Sequence, residues 1–185
     1  MTQQKIKKLV IRPFVHENLE VKNALLEYAR KLGKKPIGDF EPHLISALLY
    51  AQLSEYLAGF LLESLKRLIY DISYTNSHSF AFFDSKNRSN VSLEKIITQL
   101  RDFEFSDKKD LLGLLIEVKD SRNDLFHNLV SKSESELAEV WKDIGLIQEK
   151  SEIIIAKINV ISTGLQQVFY PPQLNTEQDE AKPNK

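Results

Sequence analysis

The sequence predicts an all-α protein, an antiparallel bundle of about five helices with a long loop or short hairpin between the second and third. Three observations carry this. Glycine and proline number only six each in 185 residues, and the prolines sit at the edges of periodic segments. Between those edges, apolar residues return at helical spacing over long stretches. The only run suggesting a strand, apart from a short aromatic piece, is KKLVIR near the N-terminus.

The first helix is expected over residues 17–32, where Leu19, Ala24, Leu25, Tyr28 and Leu32 form an imperfect stripe and Gly33 turns the chain. The second covers residues 42–70, with Pro42 suited to its first turn. Apolar residues cover most of its circumference and leave a narrow polar strip of Gln52, Glu55, Gly59, Glu63 and Lys66, the pattern of a central helix. Residues 71–91 break the periodicity around SFAFF, as a loop or hairpin. Ser92 is a suitable N-cap for a third helix to about residue 103, and Ser106 opens a fourth to residue 130. The fifth, residues 134–169, would span roughly 50 Å, with Gly145 a candidate bend, and Pro171 and Pro172 stop it. Residues 1–170 form one domain, and 171–185 a polar tail expected to be disordered.

Composition removes several function classes. The absence of cysteine rules out disulfides, thiolate zinc sites and cysteine nucleophiles. No glycine-rich phosphate loop or Gly-x-Ser-x-Gly elbow occurs, and His16, His43 and His78 have no partners at metal-ligand spacing, so neither metal nor cofactor is expected. A net charge of −1 points to no bulk attraction for nucleic acid or membrane. No signal-peptide pattern or uninterrupted apolar span is present, which predicts a cytoplasmic protein with no membrane partner.

The fourth helix holds the anomaly. At about 100° per residue from Leu111, the residues Leu115, Val118, Leu125, Phe126 and Leu129 fall within about 60° of it. Arg122 falls at about 20°, inside the apolar stripe, while His127 falls at about 160°, near Asn123 and Asp120. A permanent cation on an apolar stripe needs a carboxylate, a phosphate or a wet cleft. Glu55 and Glu63 on the second helix offer a structural ion pair, with His127 then an ordinary surface residue. Alternatively, Arg122 holds a phosphate and His127 moves a proton near neutral pH. Lying about 140° apart, the two face one phosphate only if a second copy completes the site across a two-fold axis. That reading makes the protein a homodimer.

The hexapeptide RNDLFH, residues 122–127, is Arg-x-x-x-x-His with a polar residue directly after the arginine, near the end of a helix in an all-helical chain. In this it resembles the HEPN superfamily (higher eukaryote and prokaryote nucleotide-binding domains), which includes ribonucleases of toxin–antitoxin, abortive-infection and CRISPR-linked systems. The resemblance extends over the helical order from about residue 41 to 169. Glu63 and Arg67 also have the spacing of an acidic–basic element found in some members, though any charged helix can show it. Leu129 stands where some toxin members carry a tyrosine, which argues against that branch.

The resemblance implies an HEPN-like bundle and metal-independent RNA cleavage by 2′-OH attack. Arg122 would stabilise the phosphorane, His127 would be general acid or base, and Asn123 would orient either. Asp120 would raise the basicity of His127, with Glu55 and Glu63 in support. It further implies a defence or toxin role, with an antitoxin or regulatory protein as a candidate partner. Lys86 and Arg88, among the aromatics of the 71–91 segment, are candidate RNA contacts, although the aromatics packing on the bundle is the simpler account. The alternative function is a non-catalytic helical module that binds RNA, nucleotide or a protein partner.

Overall fold

The computed structural model describes residues 19–76, 91–131 and 137–169. The KKLVIR segment, the SFAFF piece, Lys86, Arg88 and the 171–185 tail lie outside the described residues. Within them the protein is all-α, with five helices and no strand: α1 (Leu19–Gly33), α2 (Phe40–Asn76), α3 (Leu93–Leu100), α4 (Lys108–Ser131) and α5 (Leu137–Phe169). The expected elements are present. α2 extends beyond its expected end, and α3 is shorter, closing at Leu100.

α2 is central and touches each of the other four helices. Its length and composition alone would suit a membrane span over Phe40–Ile69. Here that apolarity is spent on packing: Ala47, Tyr50, Ala51, Ala58, Leu61 and Leu62 lie in one core with Leu115, Ile147 and Ile154. Small residues let α1 come close. Ala29 and Ala47 are fully buried, and the Ser46 hydroxyl donates to the Ala29 carbonyl at 2.8 Å.

Gly33 has a different role from the one its position suggests. Among the described glycines none has positive φ. A Cβ on Gly33 would instead lie 3.2 Å from Ser46 Oγ and 3.3 Å from Gln148 Nε2, so this glycine makes room where α1, α2 and α5 converge. α5 continues through Gly145 as one helix. A left-handed residue does occur at the start of α4: Asp107, at φ 58°, precedes the helix and its carbonyl accepts the Leu111 N–H at 2.9 Å.

Cross-helix contacts give the directions. Lys22 with Tyr56 and Ser46 with Ala29 make α1 antiparallel to α2. Asp107 with Lys157, Glu117 with Lys150 and Asn128 with Asp143 do the same for α4 and α5. α2 and α5 run in the same sense, from the His43–Trp141 ring contact to the Tyr50–Glu152 bond. So do α2 and α3, through Glu55 with Leu93 and Lys66 with Gln99. The bundle is thus mixed rather than purely antiparallel. α3 begins beside Glu55, whereas α2 ends at Asn76, about 30 Å further along its axis, so the connection has that distance to cover.

Candidate functional site

The polar strip of α2 is where α3 sits. Glu55 Oε1 accepts the Leu93 N–H, the first of α3, at 3.0 Å. Ile96 packs over Gly59, where its Cδ1 would be in ordinary contact with an added Cβ at 3.5 Å, and Lys66 donates to Gln99 at 2.7 Å. Ser92 precedes α3 in an extended conformation, but its side chain makes no capping bond. The free N–H groups of a helix start need acceptors, and Glu55 supplies one from the neighbouring helix. Nothing in the local α3 sequence announces this, because the cap lies 38 residues earlier in the chain.

The other oxygen of Glu55 meets Arg122, with Nη1 2.6 Å from Oε2. The arginine on the apolar stripe therefore has a carboxylate, as the ion-pair reading anticipated, and Glu55 joins α2, α3 and α4. The contact uses one nitrogen. Among the described residues, the Nε and Nη2 of Arg122 have no hydrogen-bond partner, and the side chain remains 26% exposed. Glu63 takes no part: it is exposed and reaches Lys66 at 3.4 Å.

Arg30 provides the contrast. Its Nε and Nη2 grip both oxygens of Glu152 at 2.7 and 2.8 Å, and its Nη1 reaches Glu27 at 2.8 Å. These bonds, led by Glu152, hold Arg30 above the ordinary arginine range, and Arg30 in turn holds the Glu152 carboxyl below its usual range. Tyr50 donates its hydroxyl to Glu152 Oε1 at 2.5 Å, and burial first, then this bond, pushes its phenol above the tyrosine range. All three nitrogens of the Arg30 guanidinium are engaged, which marks a structural clamp of α1 to α2 and α5.

On α4, Leu111, Leu115, Val118 and Leu125 are fully buried. Phe126, placed by the wheel at the edge of the stripe, is 51% exposed, so the buried face is narrower on that side. Asn123 and His127 are exposed, and among the described residues neither side chain has a hydrogen-bond partner. The structure thus places Asn123, Phe126 and His127 on one open band of α4, with Arg122 at its seam with α2. It does not bring Arg122 and His127 together within one copy. Asp120 pairs with Lys119 at 3.1 Å and lies about 10 Å of helical rise from His127, too far for a direct bond.

His43 is a structural histidine. It is buried edge-on to Trp141, and its Nε2 lies 2.9 Å from the Lys35 carbonyl, to which it donates. Among the described residues, no cluster of His, Asp or Glu has the arrangement of a metal site. No protein-family model, curated protein or solved structure matches the chain.

Proposed function

We propose that the protein is a metal-independent endoribonuclease of the HEPN type, acting as a homodimer in a defence or toxin–antitoxin setting in the cytoplasm. The observation that carries the reading is the state of Arg122: anchored at one nitrogen, with two donor groups unspent, on the same short motif as an exposed His127. A guanidinium tethered at one edge retains donors for a phosphate and stabilises the charge that grows on a phosphorane. An exposed imidazole can give or take a proton in the reaction.

In the reaction, the ribose 2′-OH attacks the adjacent phosphorus and loses its proton to a base. The 5′-oxygen leaves with a proton from an acid, giving a 2′,3′-cyclic phosphate and a 5′-OH. A two-fold dimer supplies both groups, since each copy brings one His127. Asn123, one turn before His127, is placed to orient the ring or the phosphate.

A second reading is favoured by the Glu55 contact itself. An arginine that already has a carboxylate needs no phosphate, and the protein would then be a non-catalytic module that binds RNA, nucleotide or a partner protein. One experiment separates the two: wild type, R122A and H127A are incubated with RNA in EDTA, and the products are analysed for cyclic phosphate. The enzyme reading expects cleavage by wild type, a loss of about a hundredfold or more in H127A, and resistance of a substrate lacking the 2′-OH. Cleavage that persists in both variants, or none by a folded dimer, overturns it. H127A is the cleaner variant, because His127 holds no structural contact through its ring, whereas R122A also strips Glu55 of its counter-charge.

A further inference from the structure

We infer that Glu55 is the positioning residue for Arg122: the start of α3 holds one of its oxygens so that the other turns the guanidinium with its free edge outward. This rests on the ribonuclease reading and adds to it the origin of the arginine's pose.

A lone glutamate beside an arginine does not fix that arginine, because both side chains keep rotamer freedom. Glu55 is restrained from its far side. Its Oε1 accepts the Leu93 N–H at 3.0 Å and its Oε2 faces Arg122 Nη1 at 2.6 Å, so the carboxylate has a defined plane. α3 is in turn seated along α2 by the Lys66–Gln99 bond and by its apolar face, with Leu93, Ile96, Ile97 and Leu100 all buried. The chain of constraint runs from the buried face of α3, through its first N–H and Glu55, to Arg122. It stops after a single nitrogen of the guanidinium. Arg30, with every nitrogen engaged, shows how an arginine in this fold looks when its role is purely structural.

E55Q isolates the relationship. A glutamine keeps one acceptor oxygen and replaces the other with a donor, so it can serve Leu93 or Arg122 but not both, and the charge facing Arg122 is gone. In full-length E55Q, RNA cleavage should lose kcat by on the order of tens to a hundredfold while KM moves far less, because misplacement of a stabilising group is felt in the transition state. E55D, which keeps the charge on a shorter arm, should recover part of the loss. The melting temperature of E55Q should stay close to wild type. An unchanged kcat in E55Q, or a loss matched by unfolding and equally present in E55D, overturns the inference.

A second readout is independent of cleavage. In an NMR spectrum of the arginine side chains, the Nε–H signal of Arg122, assigned by its loss in R122K, should be distinct in wild type and move to the position of mobile exposed arginines in E55Q. A signal unmoved by E55Q overturns the positioning role even if RNA is cleaved. A signal that moves in a protein that cleaves nothing leaves the positioning intact and overturns the ribonuclease reading alone.

Discussion

Replacing Glu152 with alanine tests how α1, α2 and α5 are held together. The residue accepts two bonds from Arg30 on α1 and one from Tyr50 on α2 while belonging to α5. Its loss has two unequal consequences. The Arg30 pair is well exposed, at 39% and 38%, so solvent screens it and its removal costs only about 0.2–1 kcal/mol. The Tyr50 hydroxyl sits on a residue only 4% exposed and loses its acceptor, which costs about 1–3 kcal/mol. The sum, about 1–4 kcal/mol, corresponds to a fall in melting temperature of roughly 2–16 °C for a chain of this size. E152Q leaves Tyr50 an acceptor and should lose about 1 kcal/mol or less.

The double variant is decisive. Y50F removes the hydroxyl that E152A orphans, so Y50F/E152A should be more stable than the sum of the single losses predicts, by about 1 kcal/mol. Strict additivity in urea unfolding would refute the assignment of the main cost to Tyr50. The pH dependence has a defined sign. Arg30 holds the folded-state Glu152 pKa below the unfolded value of about 4.3. Its stabilising contribution is therefore complete above that value and disappears as pH falls through the lower folded one. The gap between wild type and E152Q should be widest near neutrality and close in acid; a gap that widens in acid would contradict the pairing.

Two further outcomes follow from α4. L125A should cost about 2–5 kcal/mol in thermal or urea unfolding, and F126A less than about 1 kcal/mol, since Leu125 is fully buried and Phe126 is 51% exposed; the reverse order would mean that the helix is rotated. D107A should be less stable than D107G by about 1 kcal/mol, because both lose the Lys157 ion pair but only alanine is strained at φ 58°; equal stabilities would refute the strain.

The helical order was legible because it rests on local signals: apolar spacing, Pro42 in a first turn, prolines confined to the ends of periodic segments. The environment of α3 was not. The polar strip of α2 offered Glu55 and Glu63 as partners for Arg122, but nothing in it marked Glu55 and Lys66 as the seat for a helix that starts 38 residues after Glu55. Polar residues along a helix signal either water or a polar partner, and only the tertiary neighbour decides. Gly33 shows the same limit, for a close approach of other helices and a left-handed turn both call for glycine. Phe126 was misjudged because a wheel gives an angle but not how far around the helix its neighbours extend. Within the site, the demand that Arg122 meet a carboxylate, a phosphate or a wet cleft was legible from the stripe. The choice of Glu55 over Glu63 was not, since it depends on the level at which α4 crosses α2.

The separation of Arg122 from His127 makes a specific demand on any RNA-cleaving assembly. The two lie about 140° apart around α4 and five residues along it, while one phosphate group is only a few ångströms across. Arg122 is held back at the α2 seam by Glu55, and His127 stands on the open band beside half-exposed Phe126. Rotating α4 to bring the histidine inward would pull Leu115, Val118 and Leu125 out of the core, a loss of several kcal/mol that no single phosphate contact offsets. Within this fold the histidine must therefore be met from outside. Two copies packed on the α4 band would face each other's His127 across the Asn123–Phe126 surface, with each Arg122 at the rim of the shared groove. The same surface buried against an unrelated protein would leave both residues chemically idle. RNA cleavage of the proposed kind would thus require self-association, and substitutions on the α4 band that prevent it should abolish any cleavage even with Arg122, Asn123 and His127 intact.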